Sequence, residues 1–343
     1  MNLKRIIYLN FTERYLSFIP KFLSKYASVW EDARSLFNYY VLRRRREYNL
    51  IPSGIGIFST TACNGNCCFC ANRYLKDNRM NMPFDVFKRA VDEYARMGGK
   101  SISLTPSPGE VMLDPNFFEK VSYIHKKGMT CSLFTNALLF DKNIDNLIKY
   151  EIDDLHIDLA DIVPRYDSRV FGISEESSKK RINAVIKFLE ELEKRNMKRK
   201  VHLDFRPMRP INKIIIDMKK TPFWRMYKKR IFTMSFLQSY DNWGGLITKK
   251  DLLGIQTLKR PPKIKLYPCA ALFTISILPD GKIRLCGCRC KRTLNDELVI
   301  GDFNKMSLKD LEKSEKWREI IINFQKGKLP EVCKDCSFYR PLI

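Results

Sequence analysis

Thr61-Ala62-Cys63-Asn64-Gly65-Asn66-Cys67-Cys68-Phe69-Cys70 is the stretch on which the reading of this chain turns. Cys63, Cys67 and Cys70 stand in a Cys-x3-Cys-x2-Cys spacing on a short loop that contains Gly and Asn. That spacing is tight enough for three thiolates to converge on one iron–sulfur cubane. Three ligands leave one iron open, whereas structural iron–sulfur and zinc sites normally close with four. The competing reading, a structural zinc knuckle, lacks a fourth ligand. None of the three histidines, His125, His156 and His202, lies beside the loop, and Cys68 could serve only by crowding Cys67.

Outward from the loop, strand and helix patterns alternate from Ile51 to about Tyr240, which predicts βα units around a parallel sheet. Strands are expected over Ile55–Thr60, Ser101–Thr105, Thr130–Phe134, Asp154–Leu159, Arg199–Arg206 and within Ile231–Ser239. Helices are expected over Pro83–Met97, Asn116–Lys127, Asp141–Tyr150 and Glu175–Arg195. Six such units fit an α/β fold, a partial (β/α)6 TIM-like barrel, in which reactants bind at the carboxyl ends of the strands. Gly109-Glu110 follows the second strand, Thr135-Asn136-Ala137 the third, and Asp158 and the run Tyr166–Gly172 with Arg169 the fourth. A Gly lets backbone approach a ligand, a carboxylate can accept from an ammonium, and a guanidinium presents a fork of donors to a carboxylate.

A second cysteine array lies near the C-terminus. Thr274–Leu278, Pro279-Asp280-Gly281 and Lys282–Leu285 read as a hairpin that brings Cys269 and Cys286 together. After a helical stretch, Ser307–Phe324, comes Cys333-Lys334-Asp335-Cys336. Four thiolates close a site for a cubane or for zinc. Cys288 and Cys290 exceed the four; each could compete as ligand or give a hydrogen atom to a substrate radical. Asp241-Asn242-Trp243-Gly244-Gly245 could frame a ligand cleft or serve as core.

The first loop resembles the radical S-adenosylmethionine (radical SAM) signature, with Phe69 at the aromatic position before its last cysteine. The resemblance implies a [4Fe–4S] cluster on Cys63, Cys67 and Cys70 whose open iron is chelated by S-adenosylmethionine. One electron then yields a 5′-deoxyadenosyl radical. Gly109-Glu110 resembles the end of the family's Gly-Gly-Glu motif, with Pro108 in place of the first Gly, and implies a contact to the cofactor's amino group. Thr135-Asn136-Ala137 resembles Thr-Asn-Gly, and Arg169 lies in a stretch resembling the one whose Arg pairs with the cofactor's carboxylate. Asp158 stands where many relatives carry Ser, and could address substrate hydroxyls instead. The C-terminal spacing resembles the twitch form of the SPASM extension and implies an auxiliary [4Fe–4S] cluster on Cys269, Cys286, Cys333 and Cys336. The implied chemistry is hydrogen abstraction from a C–H bond, with oxidation or epimerisation of a hydroxylated, sugar-like substrate. Rival readings are a peptide maturase and, outside enzymology, an iron–sulfur electron carrier or zinc-stabilised nucleic-acid binder.

The 343-residue chain carries 62 Lys+Arg against 38 Asp+Glu, a formal charge of +24. Such an excess suits anionic partners, including a phosphate-linked substrate; nucleic acid is disfavoured because no binding module accompanies it. Eleven clustered cysteines argue for a reducing, cytoplasmic compartment and against a secreted disulfide framework. No run approaches a membrane span. In the lead segment, residues 1–50, an aromatic helical stripe from Lys21 to Tyr40 is followed by Arg43-Arg44-Arg45-Arg46. Residues 21–46 could therefore cover the next domain or rest on an anionic membrane surface. The expected organisation is a barrel over 51–247, a linker over 248–266 and the auxiliary unit over 267–343. A reductant such as flavodoxin or ferredoxin is the implied protein partner.

Overall fold

The computed structural model describes residues 54–105, 107–287 and 289–342, together with positions 32, 33, 36, 37, 50 and 52. Most of the lead segment's stripe, its Arg run and Cys288 lie outside the described residues. Among the described residues no helix is long and apolar enough to cross a membrane.

Strand β4, Asp154–Leu159, shows how the sequence builds the sheet. Leu155, Ile157 and Leu159 are buried on one face, while Asp154, His156 and Asp158 alternate onto the other. Period-two alternation sends the apolar set under the helices and leaves the polar set on the concave wall. The long helix α5 of Glu175–Lys194 supplies much of that cover, burying Ile182, Val185, Phe188, Leu189 and Leu192 on one face. Each such side chain contributes about 1.5–3 kcal/mol. Ser174 caps this helix by accepting from the Ser177 N–H, and Glu175 and Glu176 sit in its first turn, where the helix dipole favours acids.

The parallel strands β1 (Gly54–Ile57), β2 (Ser101–Ser103), β3 (Thr130–Thr135), β4, β5 (Lys200–Phe205) and β6 (Thr233–Phe236) follow one another in sequence order. Helices α1 (Phe84–Arg96), α2 (Phe117–Lys126), α3 (Ile144–Lys149), α4 (Pro164–Phe171), α5, α6 (Ile211–Met218) and α7 (Pro222–Lys228) lie between them. This is the expected partial barrel. Register aligns side chains in layers across the concave wall: Phe134, His156, His202 and Thr233 form one layer, and Asp158, Asp204 and Ser235 the next.

Several boundaries differ from expectation for local reasons. Strand β2 stops at Ser103, and the Thr105 hydroxyl accepts from the Phe134 N–H beyond it. The stretch Ser307–Phe324 is two elements, a 3-10 turn over Leu308–Lys313 and helix α8 over Glu315–Gln325, because Ser314 caps the second by accepting from Trp317 N–H. Asp141–Tyr150 likewise divides into a 3-10 turn, Phe140–Lys142, and α3.

The C-terminal hairpin of β9 (Thr274–Ile277) and β10 (Lys282–Leu285) does not stand apart. Strand β9 pairs in parallel with β1, Gly54 to Thr274 through Ile57 to Ile277. With β11 (Val299–Asp302) it makes one nine-stranded sheet, ordered β11-β10-β9-β1-β2-β3-β4-β5-β6. Residues 248–266, expected as a linker, are built into the body. Strand β8 (Thr257–Leu258) pairs with β7 (Ser239–Tyr240), and Gln256 and Lys265 are buried. A short helix α9, Glu331–Lys334, carries the last cysteine pair.

Candidate active site

The cysteine loop is seated on the end of α4. Asn66 N–H donates to Phe171 O and Cys68 N–H to Val170 O, both at 2.9 Å. Gly172 ends that helix at φ +61°, and a Cβ there would lie 2.4 Å from Asn66 O, so the seat requires glycine. Cys63, Cys67 and Cys70 come close enough for each of the last two to feel its partners' charge. Burial pushes the Cys63 and Cys67 thiols up and the Cys70 thiol up to about 12. Three converging, half-buried thiols become thiolates together only if a cation takes up their charge. Asn72 N–H already points at Cys70 Sγ, 3.4 Å away. This donor set fits an iron–sulfur cluster. Cys68 turns the other way, packing with Ala160, Val170 and Phe171 and donating to Gln256 Oε1.

Glu110 and Asn136 meet beside the loop. The buried Glu110 carboxylate accepts from Thr135 Oγ1 and Asn136 N–H at 2.8 Å and from Met112 N–H at 3.3 Å, and its own N–H donates to Ala62 O. Burial pushes this carboxyl up in spite of those bonds. Three of its roughly four acceptor directions are taken, so Glu110 first of all ties three strand ends together; Gly109 precedes it, half-buried. Asn136 Nδ2 donates to Asn64 Oδ1 at 2.9 Å, reaching into the cysteine loop. Behind it, the buried Arg181 donates to Asn136 O at 2.6 Å and pairs with the buried Asp167.

Arg169 does not join this group. It lies on the exposed face of α4, and among the described residues no hydrogen bond or ion pair holds it. Helix periodicity turns Val170 and Phe171 inward and leaves Arg169 outside. The arginine at the site is Arg206, which the sequence reading missed. It pairs with Asp158 at 2.9 Å and lies over the Phe69 ring at 5.0 Å. Phe69 in turn stacks on Tyr240, with centroids 5.1 Å apart. Burial pushes the Asp158 carboxyl up against the opposing pull of Arg206. Arg206 closes the strand expected over Arg199–Arg206, and its alternation with His202 and Asp204 is the signal that could have found it.

In the second array, Cys333 and Cys269 feel each other's and Cys336's charge, and burial pushes the Cys269 thiol up to about 11. Cys286 N–H donates to Ala271 O and Thr274 O, which places it beside the turn that begins at Cys269. Arg340 N–H points at Cys269 Sγ and Phe338 N–H at Cys336 Sγ, each at 3.3 Å. The buried Lys265 amine donates to the carbonyls of Cys333, Lys334 and Cys336. This set too fits a thiolate-bound cluster. Cys290 does not suit hydrogen donation to a substrate. It is fully buried among Phe58, Ala71, Trp243, Ile247, Leu278 and Leu294, with its thiol pushed up to about 12 by burial.

The 241–245 stretch bridges the two arrays, and its Gly244 and Gly245 also line a cleft together with Lys291, Arg292, Glu331 and Asp335. Trp243 Nε1 donates to Phe69 O at 2.9 Å, Asn242 Nδ2 donates to Asp335 O at 2.6 Å, and Ser337 N–H donates to Asn242 Oδ1 at 3.0 Å. Asp241 pairs with Arg289.

Comparison with known proteins agrees with this layout. The family model described as the radical SAM superfamily matches residues 57–210, and that of the SPASM iron–sulfur cluster-binding domain matches residues 269–337. A curated relative from Pyrococcus furiosus is a tungsten-containing aldehyde ferredoxin oxidoreductase cofactor-modifying protein. It is 24% identical over 140 residues, which span 39% of this chain and 38% of that protein. Among solved structures, SuiB of Streptococcus suis bound to its precursor peptide SuiA is similar at a TM-score of 0.57 and 15% identity. The likeness covers 84% of this chain and 71% of that one. BtrN in complex with AdoMet and 2-DOIA is similar at 0.50 and 14% identity, over 83% of this chain and 93% of that one. At such identities the structural likeness speaks for the fold alone. On the two matched domains and the two cysteine arrays they contain, the chain belongs to the radical SAM superfamily and carries a C-terminal SPASM iron–sulfur domain.

Proposed function

We propose that this enzyme removes a hydrogen atom from a C–H bond of a hydroxylated small molecule bound against the concave wall. It would do so with a [4Fe–4S] cluster on Cys63, Cys67 and Cys70 and an auxiliary cluster on Cys269, Cys286, Cys333 and Cys336. When bound, cluster and S-adenosylmethionine supply the one-electron chemistry that makes the abstracting species. The observation that carries the substrate class is the wall itself: Ser103, Ser132, Asp154, His156, Asp158, His202, Asp204, Thr233 and Ser235 lie on aligned inward positions. Such a surface offers hydrogen bonds to hydroxyls in most directions. Asp154, Asp158 and Asp204 meet Lys200 and Arg206 there, so the wall lacks the chain's large positive excess and an anionic handle on the substrate would sit outside it.

Arg206, Asp158 and Phe69 form the cofactor-facing group in this reading, with Glu110 and Asn136 holding the loop in place. Calorimetric titration with S-adenosylmethionine should show Arg206→Met binding about 10- to 100-fold more weakly, the worth of a charge-assisted contact of about 1.5–3 kcal/mol. Arg169→Met should bind as the parent does, and iron content should hold in both. Equal losses for the two would return the role to Arg169.

The enzymatic reading is tested by 5′-deoxyadenosine formation with a reductant, using polyols deuterated on carbon. Deuterium carried into 5′-deoxyadenosine supports it. Deuterium transfer from peptides but not from polyols would favour a maturase.

A further inference from the structure

Low on the concave wall, Asp154, His156 and His202 bring one ligand atom each within 4.8 Å of the others. His202 Nε2 lies 3.0 Å and His156 Nε2 3.6 Å from Asp154 Oδ1. Two atoms bound tetrahedrally to one zinc-sized ion stand about 3.4 Å apart. Asp154 Oδ1 is shut off from solvent and accepts no hydrogen bond among the described residues, an anomaly that in a native fold points to a missing water or ion.

The far side of each imidazole is already anchored. His156 Nδ1 meets Asp204 Oδ2 at 2.6 Å, and His202 Nδ1 meets Thr233 Oγ1 at 2.5 Å. An ionised carboxylate only accepts, so the His156 proton belongs on Nδ1 and its Nε2 turns a lone pair toward the Asp154 oxygen. Two acceptors facing each other repel unless a cation stands between them. A carboxylate holding the far nitrogen of a histidine is also the arrangement that orients metal ligands. The rings lie 17° from parallel with centroids 4.4 Å apart, so closing on an ion requires a small change in their relative tilt.

We infer that Asp154, His156 and His202 bind a divalent transition-metal ion, of the zinc or ferrous class, with an open position facing the barrel interior. Two imidazoles and a carboxylate are the donor set those ions favour. This site is separate from both cysteine arrays and does not rest on the proposed substrate.

Zinc titrated calorimetrically into the reconstituted, chelator-washed enzyme, whose two cysteine arrays are occupied by iron, should bind at about one equivalent per chain. His156→Ala and His202→Ala should each weaken it by more than about a hundredfold, and Asp204→Asn, acting through His156, by about 10–100-fold. Iron content measured on the same samples reports whether each variant is folded; Asp154→Asn, which keeps the side-chain shape, replaces any that is not. No stoichiometric uptake by the parent enzyme overturns the inference, and so does uptake indifferent to these substitutions. In either case a proton alone bridges the group.

Discussion

Replacing Cys63, Cys67 and Cys70 together by Ala is expected to remove about half of the roughly eight irons that two cubanes carry and to abolish all cleavage of S-adenosylmethionine. The two losses separate because the arrays are chemically independent. Cys269 and Cys336 keep their own N–H···S contacts, and the Cys333–Cys336 turn keeps the Lys265 clasp, when the first loop is emptied. The loop itself should survive, since its seat on α4 is made by the backbone of Asn66 and Cys68. Cys68 cannot take over as a ligand while it packs against Phe171 and bonds Gln256. Iron analysis and chromatographic assay of 5′-deoxyadenosine read the result. Undiminished cleavage, or loss of all the iron, would contradict the assignment of two separate arrays.

Arg181→Met should produce the largest loss of stability, about 3–5 kcal/mol, because it strands the Asp167 charge in a site with no exposure. Asp167 would keep its bonds from Ala160 N–H and Ser178 Oγ, which stabilise the carboxylate but do not neutralise it. The same arginine donates to Asn136 O and stacks on Phe171, so the cysteine loop should loosen along with the fold. Denaturant unfolding measures the first effect. Adding Asp167→Asn should restore part of the stability by removing the uncompensated charge. A change of under about 1 kcal/mol in the single variant, the size of a surface pair, would show that the pair is not buried in solution.

What could be read from the sequence divides by range. Strand β4 was legible to the residue because alternation is a local property, and the cysteine loop because its spacing is. Arg169 misled because resemblance fixes a position along the chain, whereas α4 decides which way that position faces. Arg206 went unseen although it closes the expected strand, because no motif marks it and its pairing with Asp158 is made across strands. A hairpin signal says that β9 and β10 pair with each other and nothing about which third strand they join, so the union with β1 was out of reach. Spacing alone could not tell which of the surplus cysteines is walled in, and the apolar pocket around Cys290 is assembled from segments more than 200 residues apart. The charged, Pro-containing 248–266 stretch looked like a tether because the partners that tie it to the body, Arg206, Tyr240 and Cys68 on Gln256 and the Cys333–Cys336 carbonyls on Lys265, are distant in sequence.

The pairing of β9 with β1 also bears on what the chain can lose. Without it, Gly54–Ile57 would run along the rim of the sheet with its outward N–H and C=O groups bare. Its two side chains of any size there, Ile55 and Ile57, are apolar, and no lysine, proline or bulge on that strand would discourage a second molecule from docking. The auxiliary unit therefore doubles as an edge guard. A descendant that no longer needed the second cluster could shed Cys333 and Cys336 at little cost, but shedding β9 would demand another strand or a charged residue in its place. The hairpin should for that reason outlast the metal it helps to hold.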